Sequence, residues 1–414
     1  MPSSLYICYF GLSQPLVQTQ VIPYLLEIAK DGTGVSLVTF EEDLQDGDAA
    51  NALRTKMSQK GIDWHWLRYH KRPSALATAY DVLRGAWYVR QFISKRKPDV
   101  LHGRVHIPML MAVLARKLSW QKPKLLFDIR GFFPEEYTDA GIWPENGLLY
   151  RSVKKVERWL MKEADGFVVL TEKAREILFP ESADGGVDKS GRPVEVIPCC
   201  VDLKKRFPAL GTGAVSADVS DLGLDKRFVI THVGALGGLY LTEEIVDLLA
   251  ASRSRRPATF ALFLTQTDPS IIIPLLEQAG FSDRDYFVRK VDPAGVSDYL
   301  RVSHAALSFV KASFSTQSRS PTKNAEYLAC GLPIIANDGV GDTTEQITTD
   351  ETGVIIWEFN PIAYNNALDN LDRLLSDREA LAERCRESAE RRFDLERVGG
   401  ERYRKLYRKL LKNV

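Results

Sequence analysis

The chain has 414 residues, 45% of them hydrophobic, with 55 Lys and Arg against 54 Asp and Glu. That length exceeds one ordinary core and fits two domains. A net charge of +1 excludes a nucleic-acid binder that works through bulk positive charge, and no apolar run approaches the ~20 residues of a spanning helix.

Met1-Pro2-Ser3-Ser4 runs into the apolar LYICYF with no cationic stretch before it, so a cytoplasmic location is expected. The five cysteines are scattered and form no Cys-x-x-Cys, which points to buried thiols and predicts no metal site. In chain order, the strands of the first half are expected at LYICYF (5–10), GVSLVTF (34–40), DWHWLRY (63–69), DVLHGR (99–104), KLLFDIR (124–130), GFVVLT (166–171) and VEVIPCC (194–200). Helical spacing lies between most of them. It is clearest over 145–164, where Leu149, Val153, Val156, Leu160 and Ala164 share a face opposite Arg and Lys. The second half repeats the pattern with FVITHVG (228–234), TFALFLT (259–265), YFVRKV (286–291), AALSFV (305–310), LPIIAN (332–337) and TGVIIW (352–357). Strand alternating with helix predicts an α/β chain of two Rossmann-like, doubly wound domains facing a cleft, with ligands at the carboxyl ends of the strands. The first domain is expected at 1–201 and the second at 224–394, joined by the Gly-, Ser-, Asp- and Pro-rich 202–223. Residues 391–414 carry nine Lys or Arg against three Asp or Glu, and Tyr403, Leu406, Tyr407 and Leu410 fall at helical spacing. Two readings stand for this tail: a surface helix packed by its aromatic stripe, or one that also touches anionic lipid peripherally on the inner face of a membrane.

In SRSPTKNAEYLACGLPIIAN (318–337), Ser320 reads as a helix N-cap and Pro321 as the first helical residue. Thr322 and Lys323 then sit at the positive end of the helix, a ready anion site. Glu326 lies one turn on, on the same face, where a carboxylate suits a ribose diol. An ordinary surface Lys–Glu pair is the alternative. A second feature favours the clamp: in HVGALGGLYLTEE (232–244), Gly234, Gly237 and Gly238 lie between a strand and a helix, where backbone can approach a diphosphate closely.

EYLACGLPIIANDGVGD (326–342), VIPCCVD (196–202), the glycine-rich turn and the two-domain layout together resemble the GT-B glycosyltransferases of retaining family 4. The resemblance covers nearly the whole chain. It implies sugar transfer from a nucleoside diphosphate-sugar to a glycan or lipid-linked acceptor held by the N-terminal domain, with no metal and no other cofactor. It also implies that the last helix, 395–414, packs back onto that domain. Glu326 matches the second Glu of the family's Glu-x7-Glu, which holds the donor's ribose. The position of the first is Ser318, so that contact to the donor sugar is changed here. Gly237-Gly238-Leu239-Tyr240 lacks the Arg and Lys that relatives use for the diphosphate. Lys323, the backbone N–H groups of the glycine turn and of the helix end, and Arg319 are the candidates to replace them. The base is expected near YFVRKV, which includes Arg289.

On the N-terminal side Gly11, Ser13, Gln14 and Gln18 follow the first strand and are candidates for the acceptor wall, or for a loop that caps the next helix. Arg130 ends a strand where many relatives place a His. It is a candidate for binding phosphate or an anionic acceptor, or for an ion pair with Glu135, Glu136 or Asp139. His102, Arg104 and His106 end the neighbouring strand and are further acceptor-side candidates, as is Glu135. Two other activities fit the same fold: a nucleotide-sugar 2-epimerase, and a non-catalytic nucleotide-sugar binder, which the missing first Glu would suit.

Overall fold

Every run expected as a strand pairs in a parallel sheet, in a computed structural model that describes residues 1–44, 47–72, 74–207 and 216–412. The first sheet holds β1 (Ser3–Ile7), β2 (Gly34–Glu41), β3 (Ile62–Arg68), β4 (Val100–Arg104), β5 (Lys124–Ile129), β6 (Gly166–Val169) and β7 (Val194–Val196). Their order is β3-β2-β1-β4-β5-β6-β7. The second holds β8 (Phe228–Val233), β9 (Thr259–Leu264), β10 (Tyr286–Arg289), β11 (Ala305–Ser308), β12 (Ile334–Asn337) and β13 (Gly353–Ile356). Their order is β10-β9-β8-β11-β12-β13. The strands are short apolar runs because helices cover both faces of each sheet. All of β4 and all of β9 are buried.

In both sheets the strand order reverses once, between β1 and β4 and between β8 and β11. The loops leaving those paired strands run to opposite faces, so a crevice opens at their carboxyl ends. This places the loop after β8, with its glycines, beside the loop after β11, which leads into the helix Thr322–Ala329.

The chain divides into two compact units, Met1–Pro198 with Leu395–Val414, and Cys199–Asp394. Of the expected linker 202–223, residues 208–215 lie outside the described residues. Leu203, Phe207 and Val219 pack in the second unit's core. At the C-terminus a π-helical turn, Leu395–Gly400, leads into the helix Glu401–Lys412. Tyr403, Leu406, Tyr407 and Leu410 are all buried in the first unit. Arg404 pairs with Glu27 at 2.8 Å and Arg402 donates to the Val196 carbonyl at 2.6 Å. The aromatic stripe therefore lies inside the protein, away from any lipid; residues 413 and 414 of the expected 395–414 helix lie outside the described residues. The helix expected over 145–164 spans Leu148–Glu163, with Leu160 buried and Leu149 exposed. Among the described residues no helix is long and apolar enough to cross a membrane.

Candidate functional site

The second unit's site starts at the turn after β8. Gly234, Gly237 and Gly238 hold φ of +124°, +73° and +64°, and a Cβ on any of them would meet no atom within 4 Å. Backbone there is left-handed and open, which glycine alone adopts without strain. Two of the expected backbone donors are already engaged. The Gly234 N–H donates to the Leu264 carbonyl at 2.9 Å, and the Gly237 N–H to the Thr242 hydroxyl at 2.8 Å. Gly238 remains, engaged by none of the described residues. Next along, the Leu239 carbonyl accepts from the Lys311 N–H at 2.8 Å, and Tyr240 forms an antiparallel bridge with Val310. The glycine turn is thereby tied directly to the loop after β11.

That loop passes through a 3-10 turn, Ser315–Ser318, into the helix Thr322–Ala329. Ser320 is not its cap. Its hydroxyl accepts from the Cys199 N–H at 3.1 Å, and Pro321, in extended backbone with ψ of 114°, takes the cap position. Thr322 and Lys323 are then the first two helical residues, and their N–H groups have no acceptor within the helix. Lys323 is 8% exposed, and its Nζ is buried with no hydrogen-bond partner among the described residues. It lies 4.7 Å from the centre of the Tyr240 ring, a cation–π contact. Burial brings its ammonium down to about 7. Beneath it His232 is fully buried, and burial, with the Lys323 charge, holds its imidazole well below the usual range.

Glu326 follows one turn later, also buried, and its Oε1 accepts from Arg206 at 3.0 Å. Burial raises its carboxyl above the ordinary value, and Arg206 offsets part of the rise. Ser318 is buried and its hydroxyl donates to the Ser315 carbonyl at 2.7 Å. Arg319 is half-buried next to it. Arg289 does not join this group. It sits exposed at the end of the edge strand β10, over the Phe287 ring, with β9 between it and β8.

In the first unit the candidates fall into three groups. Gly11 is buried, and a Cβ there would lie 2.7 Å from the Glu41 carboxylate. Glu41 clamps this loop by accepting from the Leu12 N–H at 2.7 Å, and Gln18 donates to the Leu12 carbonyl at 2.6 Å. Gln14 caps the helix Pro15–Gln20 with its backbone, while Ser13 is exposed. The second group surrounds the buried Asp128. Arg104 and Arg130 each approach it to 3.7 Å, His102 to 3.5 Å, and the Tyr403 hydroxyl donates to it at 3.1 Å. Burial alone would raise this carboxyl, but Arg130, His102 and Arg104 together hold it at about 2. His102 stands within β4 rather than at its end and bonds the Tyr407 hydroxyl at 2.9 Å, which marks it as part of the packing. The third group is an ion network. His106 opens the helix His106–Lys117 and bonds Glu157 at 2.8 Å, and Lys154 joins Glu157 to Glu135. Glu135 therefore pairs with Lys154 and the Tyr150 hydroxyl, not with Arg130.

Comparison with known families decides what this pair of units is. Residues 20–198 match the model of the glycosyl transferase 4-like domain, and residues 225–392 that of the glycosyl transferases group 1. Together the matches span well over half of the chain. The chain belongs to the group 1 glycosyl transferases, on the GT-B fold. A sucrose-phosphate synthase from Thermosynechococcus elongatus aligns over 100% of both chains at 16% identity and a TM-score of 0.70. Anabaena HepE, solved with UDP and glucose, aligns over 100% of both chains at 16% identity and a TM-score of 0.66. A protein assigned as UDP-N-acetylglucosamine 2-epimerase from Listeria monocytogenes covers 98% of its own length and 100% of this one, at 14% identity and a TM-score of 0.65. No curated protein matches the chain.

Three residues of this candidate site escaped the sequence. Arg206 lies 120 positions from Glu326 in a stretch read as linker, and nothing local to it signals a partner. Tyr240 and His232 border the glycines, but only the fold sets them under and beside Lys323. In the first unit Val105 holds a φ of +67° and a ψ of 178°, a region nearly reserved for glycine, at the end of β4 where the strand order reverses. Its identity as valine gave no hint of that.

Proposed function

We propose that the protein is a retaining glycosyl transferase that moves a sugar from a nucleoside diphosphate-sugar to a glycan or lipid-linked acceptor, with no metal or further cofactor. The observation that carries this reading is the Lys323 ammonium. It is buried with no hydrogen-bond partner among the described residues, at a helix start that is bonded through its loop to the glycine turn. A buried cation without a counter-charge is unfavourable unless a ligand supplies one. The N–H groups of Thr322, Lys323 and Gly238 add donors aimed at the same anion. Glu326, with Arg206 on one oxygen, keeps the other for ribose hydroxyls.

In the reaction the acceptor hydroxyl attacks the anomeric carbon from the face the diphosphate leaves. The new glycosidic bond forms as the bond from the anomeric carbon to the phosphate oxygen breaks, and the departing phosphate takes the proton. Negative charge grows on the diphosphate, so donors already fixed there lower the barrier. Arg130 is the candidate for contact with an anionic acceptor, and Gly11, Ser13, Gln14 and Gln18 are the candidates for the acceptor wall, whereas His102, bonded to Tyr407, belongs to the packing. HepE, with its bound UDP and glucose, supports a nucleotide-sugar donor.

A panel of nucleoside diphosphate-sugars, screened by thermal shift and then incubated with acceptors, tests this. Free nucleoside diphosphate with a product of retained anomeric configuration is expected, and Lys323→Ala or Glu326→Ala should each cut turnover at least tenfold, as expected when a charge-assisted contact is lost. A new nucleotide-sugar formed without acceptor would instead indicate the epimerase activity suggested by the Listeria neighbour. Tight binding with no turnover would indicate a binder.

A further inference from the structure

The solvent-facing line of a surface helix is normally polar. On the first unit's helix Ser74–Arg96 that line reads Leu76, Tyr80, Leu83 and Trp87, exposed by 72, 55, 66 and 56%. Steps of four, three and four keep the four side chains on one side over three turns. The opposite side, with Val82, Val89 and Ile93, is in the core. The helix's one acid, Asp81, is fully buried and bonded to Tyr9 and His70. Arg90 stacks 5.0 Å over Trp87 and donates to the Leu118 carbonyl at 2.9 Å, which carries the apolar surface on to Leu118 and the fully exposed Trp120.

Helix Leu148–Glu163 repeats the same spacing with Arg151, Lys155, Arg158 and Lys162, all exposed. Its two acids are engaged elsewhere: Glu157 on His106, Glu163 on Lys117. The helix His106–Lys117 lies between the two. Its Met111 packs against Gly85 on one side, and its Lys117 reaches Glu163 on the other. Right-handed crossovers after β3, β4 and β5 put all three helices on one face of the sheet. At 8–10 Å between axes, the apolar and cationic stripes stand roughly 20 Å apart on one outer surface.

We propose that this three-helix face is a docking surface for an anionic lipid bilayer. Leu76, Leu83, Trp87 and Trp120 enter the interface, and the four cations of the second stripe lie against headgroup phosphates. A bilayer suits the face better than a protein does. Four cations run with no exposed carboxylate among them, and the aromatic and aliphatic side chains project outward instead of lining a pocket. Neither stripe contains a residue assigned to the donor site, so the inference stands apart from the transferase reading.

Co-sedimentation of the full chain with vesicles tests it. Wild type should pellet with vesicles of phosphatidylglycerol and phosphatidylcholine, release at high salt, and ignore pure phosphatidylcholine. The double change Leu83→Glu with Trp87→Glu, and separately Gln at 151, 155, 158 and 162, should each lower partitioning at least roughly tenfold. Melting temperature and nucleoside diphosphate binding should stay as in wild type. Failure of wild type to bind anionic vesicles at low salt, or wild-type partitioning in both variants, overturns the proposal. So does a protein complex that Leu83→Glu abolishes while wild type ignores every vesicle.

Discussion

At Lys323 burial and charge are in direct conflict. Its folded value of about 7 lies below the ordinary 10.5. Between those values the unfolded chain binds more protons than the folded one, so stability rises with pH across that window. Below about 7 the folded state carries the full penalty of the buried charge, a few kcal/mol. Lys323→Met is therefore expected to raise the melting temperature at about pH 6 and to change it little above pH 10.5. Equal effects at both ends would show that the lysine is not desolvated. A bound diphosphate reverses the balance, because it favours the charged form. Donor affinity should be flat below about pH 7 and fall above it, and binding near pH 8 should draw in a proton. Calorimetry in two buffers of different ionisation enthalpy reads that proton directly.

The glycine turn carries the next prediction. Gly238 has φ of +64° and free space where a Cβ would point. Gly238→Ala should cost about 1 kcal/mol of stability through backbone strain alone. Its effect on nucleoside diphosphate affinity should be larger, since the Cβ would stand in the way of the phosphates; a loss in melting temperature with unchanged affinity would remove the turn from the site. This turn was legible in the sequence because three glycines between an apolar strand and a helix leave few other conformations. The strands were legible for a similar reason, since runs such as FVITHV and TFALFL have no polar face to place in water. The helix cap was not. Ser320-Pro321 is a sound cap locally, but the Cys199 N–H, 121 residues away, binds the serine instead. The tail's aromatic stripe alone did not give its destination, because a stripe at helical spacing suits a protein core and a lipid surface equally; only the family resemblance pointed to the first domain, where the helix packs. Leu76, Tyr80, Leu83 and Trp87 give no sign in the sequence, because only the fold decides which side of that helix is covered.

In each unit a buried charge cluster lies near the place where the strand order reverses. In the first unit it is Asp128 with Arg104 and Arg130, roofed by Tyr403 from the returning C-terminal helix. Asp128→Asn leaves two buried guanidinium groups without their shared carboxylate and should destabilise the first unit by about 3–5 kcal/mol. Hydrogen exchange should show protection lost over β1, β4, β5 and the helix Glu401–Lys412, while β8 to β13 keep theirs. Loss spread evenly over both units would mean that they do not open separately.

If Lys323, Gly238 and Glu326 hold one nucleoside diphosphate, its binding must depend on the Lys323 charge. Calorimetric titration of the nucleoside diphosphate selected by thermal shift, into wild type and Lys323→Met near pH 8, tests it most directly. Proton uptake is expected in wild type only, with an affinity roughly 10–100-fold lower in the variant, as for a lost charge-assisted hydrogen bond. Equal affinity with equal proton uptake in the two proteins would contradict it.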